Sequence, residues 1–134
     1  MKDNSLKVGK YFKLILEKND DLMALVPTSK VYAIVAHENT SFPYIVYSRS
    51  SLTPTYSKDN MNGCGQENVV QITVDAYSDK YTQSLDVINE VRDAVENIGY
   101  RDDDIKIDRF RLVSAYESWE DCFKQTLVFE TRIS

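Results

Sequence analysis

Apolar and polar residues follow two periods along this chain, and the switches between them mark out the elements. The sharpest stretch is Val69-Val70-Gln71-Ile72-Thr73-Val74-Asp75-Ala76-Tyr77. Val70, Ile72, Val74 and Ala76 fall on one side and Gln71, Thr73 and Asp75 on the other. That period of two is the mark of a half-buried strand. Residues 80–98 then change to a helical period. Tyr81, Leu85, Ile88, Val91, Val95 and Ile98 form one stripe, with Val87 and Ala94 beside it. Ser78 or Asp79 is placed to cap this helix and Gly99 to stop it. Ahead of both lies Pro43-Tyr44-Ile45-Val46-Tyr47, a strand running to about residue 51. Pro43 stands at its first position, where the missing N–H costs least.

The flanks read in the same way. Leu6, Tyr11 and Leu14, with Val8, Phe12, Ile15 and Leu16 alongside, predict an amphipathic helix over 5–18 that Asn4 or Ser5 caps. Asn19 and Asp20 end it, and a short turn through Leu25 follows until Pro27. Residues 30–36 are β-branched and aromatic and predict a strand; 37–41 are a polar connection. Residues 52–66 show no period and hold Pro54, Asn60, Asn62, Gly63 and Gly65, a long loop of the kind that carries function. Residues 105–117 alternate, with Phe110, Leu112, Ser114 and Tyr116 on one face. Residues 118–121 connect them to a last alternating strand, 123–133, so that the pair forms a hairpin. The expectation is an α+β fold: a mainly antiparallel sheet of about five strands with two helices packed on one face, in the order α-β-β-β-α-β-β. No internal repeat or boundary interrupts the chain, which reads as one domain over 1–134.

Composition narrows the functional classes. With 43% hydrophobic and 28% charged residues, the 134-residue chain is of the globular kind. Its apolar runs are too short to span a bilayer, and the polar start, Met1-Lys2-Asp3-Asn4-Ser5, lacks an apolar signal region. No membrane association is expected, and the protein is expected to stay in the cytoplasm of the cell that makes it. The net charge of −5 argues against a surface that tracks phosphates. The predicted 80–98 helix and its cap carry Asp79, Asp86, Glu90, Asp93 and Glu96 against Lys80 and Arg92, a net −3 (five acids, two bases) on the solvent side.

Candidate chemistry is sparse. Cys64 and Cys122 read as free thiols, and with only His37 to accompany them no metal set assembles. His37 with Glu38 lacks a nucleophile, and Cys64 lacks a second base. Asp102-Asp103-Asp104 lacks the spacing of a calcium loop and reads as a solvated turn. No catalytic residue, metal or cofactor is expected. The 9 tyrosines and 5 phenylalanines say more, because aromatic side chains serve both cores and interfaces. Tyr44, Tyr47 and Tyr56 lie on or beside the 52–66 loop, which also holds Met61; Trp119 sits in the acidic hairpin connection. Core packing and a contact surface both remain open for the tyrosines, and an interface role for Met61 and Trp119. Unpaired sheet edges are a further place for identical copies to join, and edge pairing closes into a ring when the rotation allows.

The order of these hydrophobic stretches resembles the small tail-completion, or tail-terminator, proteins of long-tailed phages and prophages. The resemblance rests on the opening helix, on Val31-Tyr32, on Pro43-Tyr44-Ile45-Val46-Tyr47 and the variable loop after it. It rests too on Val70-Gln71-Ile72-Thr73-Val74-Asp75-Ala76-Tyr77, the spaced helix, Ser114-Ala115-Tyr116-Glu117 and Lys124-Gln125-Thr126-Leu127-Val128-Phe129-Glu130. It covers nearly the whole chain through fold-defining stretches, not chemical motifs, and carries over no catalytic residue. It implies a structural virion protein, assembled in the bacterial cytoplasm and placed at the tail–head junction. There a hexameric ring would cap the tail tube protein, end its polymerisation and meet the head–tail connector protein. DNA would pass through the lumen without specific binding, eased by an acidic lining. Two alternatives stand beside it: another neck or adaptor component, and a small ligand-binding domain or enzyme using the Tyr-rich surface near 52–66.

Overall fold

The computed structural model describes residues 3–55 and 67–134. After a turn of 3-10 helix, Ser5–Lys7, helix α1 spans Val8–Glu17. It buries Val8, Tyr11, Phe12, Ile15 and Leu16, the i, i+3, i+4 series of one apolar stripe. Helix α2, Asp20–Leu25, is capped by Asn19, whose Oδ1 accepts the Leu22 amide at 2.9 Å. Strands β1 (Val31–Ala33), β2 (Tyr44–Thr55) and β3 (Glu67–Ser78) follow. Helix α3 spans Tyr81–Val95. Then come the short strands β4 (Tyr100–Arg101) and β5 (Lys106–Ile107), and the hairpin of β6 (Arg111–Trp119) and β7 (Phe123–Ile133).

The sheet has seven strands in the order β1-β2-β3-β7-β5-β4, with β6 also on β7. Both β5 and β6 lie on the side of β7 away from β3: Ile107 pairs with Ile133 at one end, and 111–119 with the rest. β1 runs parallel to β2, and every other strand pair is antiparallel. Strand β3 alternates without a break, its even-numbered residues buried. The helices cover that face, and Phe12, Phe110 and Phe129 pack edge to face at the centre of the core.

The α+β class stands as expected, and several details differ. Among the described residues there are seven strands and three α-helices, not about five and two. β2 continues to Thr55, so residues 52–55 are ladder and not loop; in spite of Pro54, the pairing with β3 runs on through Asn68 and Glu67. The rest of the predicted loop, with Tyr56, Met61 and Cys64, lies outside the described residues. The strand expected over 30–36 stops at Ala33. There the Val35 amide donates to the Ala33 carbonyl at 2.7 Å and Ile34 takes φ 70°, the signature of the rare, strained γ-turn. The strand expected over 105–117 is interrupted. Phe110 bridges to Glu96 instead, and a register shift between Leu112 and Ser114 puts Leu112 on the helix face and Ser114 and Tyr116 on the open one.

The α3 stripe is rotated from the expected one. Ser84, Val87, Ile88, Val91, Ala94 and Val95 are buried, while Tyr81, Leu85 and Ile98 are exposed. The helix also ends at Val95, before Ile98. Asn97, not Gly99, takes the positive φ. Gly99 is required for another reason, since a Cβ there would stand 2.8 Å from the Ile107 carbonyl. The cap differs as well: Lys80, not Ser78 or Asp79, is the N-cap of α3 and no side chain caps it, while Ser78 Oγ accepts the Lys80 amide at 3.1 Å in the turn just before the helix.

Candidate assembly interface

Tyr44 and Tyr77 face each other across β2 and β3, so side chains of one row meet on the open side of the sheet. Their rings stack at 4.8 Å, Phe42 stacks on Tyr44 at 5.6 Å, and the Lys124 ammonium lies 5.8 Å from the centre of the Tyr77 ring. Tyr32 closes the row edge-on to both Tyr44 and His37. Burial raises the pKa of the Tyr44 and Tyr77 phenols above the ordinary tyrosine value, so they are neutral donors near neutral pH.

Tyr47 goes elsewhere. It points to the helix side, packs on Phe12 at 5.5 Å and is 5% exposed, and so contributes to the core. The structure thus separates Tyr44 from Tyr47, which adjacency in sequence had grouped. Trp119 is 63% exposed at the end of β6, against Phe123 at 4.9 Å. Phe123 in turn touches Tyr81 of α3. The Tyr81 hydroxyl donates to Glu117 at 2.9 Å, and Gln125 Nε2 donates to the same carboxylate at 2.9 Å. These bonds, that from Gln125 first, hold the Glu117 carboxyl below the ordinary glutamate range.

Sequence reading missed a groove on this side. Clefts of about 230, 260 and 370 Å³ adjoin one another between α3 and β6. They share Glu117 and Gln125 at one junction and Ile88 and Leu127 at the next, so they form one channel. Its walls include Tyr81, Leu85, Ala115 and Trp119. The signal was present in the α3 stripe, whose apolar arc is wider than the sheet beneath can cover. Also missed were Ile34 and Val35, 78% and 72% exposed beyond β1. An open cleft of about 490 Å³ lined by Arg109, Arg111 and Arg132 lies near the end of α3, where Arg111 pairs with Glu130 at 3.1 Å and Arg132 with Glu67 at 3.3 Å.

Cys64 lies outside the described residues, and the other positions read for chemistry make local contacts. Asp102 accepts the amides of Asp104 and Ile105, which closes the acidic turn and lowers the pKa of its carboxyl. Cys122 is buried, and burial pushes its thiol up, away from a reactive thiolate. His37 packs edge-on against Tyr32. Among the described residues no group of His, Cys, Asp and Glu is arranged to hold a metal ion, and no helix is long and apolar enough to cross a membrane.

Fold and surface together define an α+β protein with exposed apolar and aromatic side chains along the margins of its sheet. The family model of tail completion protein gp17 matches residues 15–133, and the chain belongs to that family of phage tail-completion proteins. It is a structural component of a virion's tail. A chain from the virion of a native gene transfer agent particle shares the fold, with a TM-score of 0.77 at 18% identity over 91% of this chain and 90% of that one. No curated protein matches the sequence.

Proposed function

We propose that this protein caps the finished tail tube as a hexameric ring, ends tube polymerisation and offers the ring's other side to the head–tail connector at the tail–head junction. The observation that supports this reading is the family match over residues 15–133, on a chain that keeps free apolar surface at two margins of its sheet. The mechanism is steric. A ring seated on the last tube layer removes the surface on which the next layer would grow. Two unlike edges on each copy favour head-to-tail contacts, which close when the rotation per copy divides the circle. The net charge of −5 fits a lumen that repels DNA and lets it pass without specific binding. Tyr44 in the aromatic row and Trp119 on the hairpin stand as contact residues between copies or with the neighbouring rings.

The test is genetic. Removing the gene is expected to leave filled heads without tails and tubes of uncontrolled length in electron micrographs of the lysate, with both defects reversed by supplying the protein. Tubes of normal length that join heads would sink the proposal. A neck or adaptor role differs in that the protein would co-purify with filled heads in place of tail tubes.

A further inference from the structure

The two outer margins of the sheet are unlike, and each carries what the other lacks. On one side lies β1, three residues long, whose single ladder partner among the described residues is β2. Just beyond it the chain bends through Ile34 at φ 70°. A β-branched residue at positive φ is costly, and such strain persists where the surroundings impose it and a function uses it. Here the outcome is that Ile34 and Val35 project into solvent as an apolar knob. On the other side lies β6, nine residues, paired to β7 alone among the described residues. A bulge between Leu112 and Ser114 interrupts it, yet Val113, Tyr116 and Trp119 are exposed along it. Behind it runs the groove floored by Leu127 and Ile88 and walled by Leu85, Ala115 and Trp119.

We propose that the Ile34–Val35 knob of one copy seats in the α3–β6 groove of the next, with the free edge of β1 laid along the free edge of β6. The occupant is a second copy of this chain because both halves of the contact are present on every copy, on opposite margins of one sheet. A knob and a groove so placed cannot satisfy each other within one molecule, and they form a heterologous contact that repeats. The charge balance leans the same way: Asp86 and Glu117 line the groove against Arg92, while Lys30 leads into β1. The helices differ in the same sense: α1 itself carries Lys10 and Lys13 against Glu17, and α3 carries Asp86, Glu90 and Asp93 against Arg92. This inference rests on the ring reading above and names the surface that would build the ring.

The experiment uses the full chain with Cys64→Ser and Cys122→Ala as background, free over a concentration series and again with isolated tail tubes. Val35→Cys and Ala115→Cys are made separately. The expected result is a disulfide-linked dimer when the two variants are mixed under oxidising conditions, and none from either variant alone. In parallel, Val35→Asp is expected to cut the fraction of closed assembly at least tenfold while circular dichroism and melting stay those of the parent, since the side chain is exposed. If the parent assembles but Val35→Asp assembles equally, or if a single cysteine variant links to itself, the knob-in-groove contact is overturned and the ring stands. A parent that forms no closed assembly either free or on tubes overturns the ring and this contact together.

Discussion

Strands β3 and β6 have similar sequences by pattern and opposite surroundings. Both alternate, and both lie directly against a neighbour in the same sheet. β3 is covered on one face by the helices and paired on both edges, and every second residue from Asn68 to Ser78 is buried. β6 is paired on one edge, and its residues beyond Leu112 are exposed on both faces. Alternation therefore reports that a segment is a strand and not how much of it is buried; that depends on which helix reaches it. α3 lies over β3 and β7 and stops short of β6. In a lone copy Val113, Tyr116 and Trp119 of β6 stay exposed, Trp119 with Phe123 on one side of it, which is why the strand is informative about assembly.

The largest expected effect sharpens this contrast. Phe129→Ala, on β7 beneath α3, should cost about 3–5 kcal/mol in chemical denaturation, because it empties part of the core around Phe110. Tyr116→Ala, a strand away on β6, should change the stability of the single copy by no more than about 0.5 kcal/mol. Equal losses at the two sites would remove the distinction. Next comes Gly99→Ala. A Cβ there meets the Ile107 carbonyl at 2.8 Å, where backbone has to shift, and a loss of about 1–3 kcal/mol is expected. An unchanged melting temperature would mean that the β4–β5 approach is looser than described.

Ile34→Gly should act in the opposite direction. Removing the β-branched side chain from positive φ is expected to stabilise the single copy by about 1 kcal/mol while weakening self-association. A stabilised variant that assembles normally would separate the strain from any role in contact. The smallest effect is on pH. Hydrogen bonds from Gln125 and Tyr81 hold Glu117 below its ordinary value, so their contribution is present above about pH 4.3 and is lost as pH falls through the lower folded value. Trp119 is the sole tryptophan and lies two residues along β6. Its emission should shift in that acid window, and Glu117→Gln should abolish the shift. A shift that survives the substitution would assign the change to other carboxylates.

Much of this organisation was legible in the sequence. The period of two in residues 69–77 and the 3–4 spacing of Val8, Phe12, Ile15 and Leu16 lead directly to β3 and α1, because one buried face per element leaves a repeat that can be read. The short strands β4 and β5 were not legible, since two residues carry no period. The end of β1 was hidden as well. Ile34 and Val35 have strand-like side chains, and what stops the strand is a backbone turn that the preference of β-branched residues argues against. The bulge between Leu112 and Ser114 reversed the faces of everything after it, and a bulge leaves no mark in hydrophobicity. The exposure of Trp119 was legible because acidic neighbours made its burial costly. Tyr47 was grouped with Tyr44 because adjacency says nothing about which side of a strand meets a helix. The groove needed the position of α3 relative to β6, a relation between elements far apart in the chain.

The most direct test of the assembly account is the mass of the particle the protein forms, measured by native mass spectrometry and negative-stain imaging, free and on isolated tail tubes. A closed hexameric ring of uniform mass that seats on tube ends is the predicted result. A single copy in both settings, or filaments that keep lengthening with concentration, would contradict it.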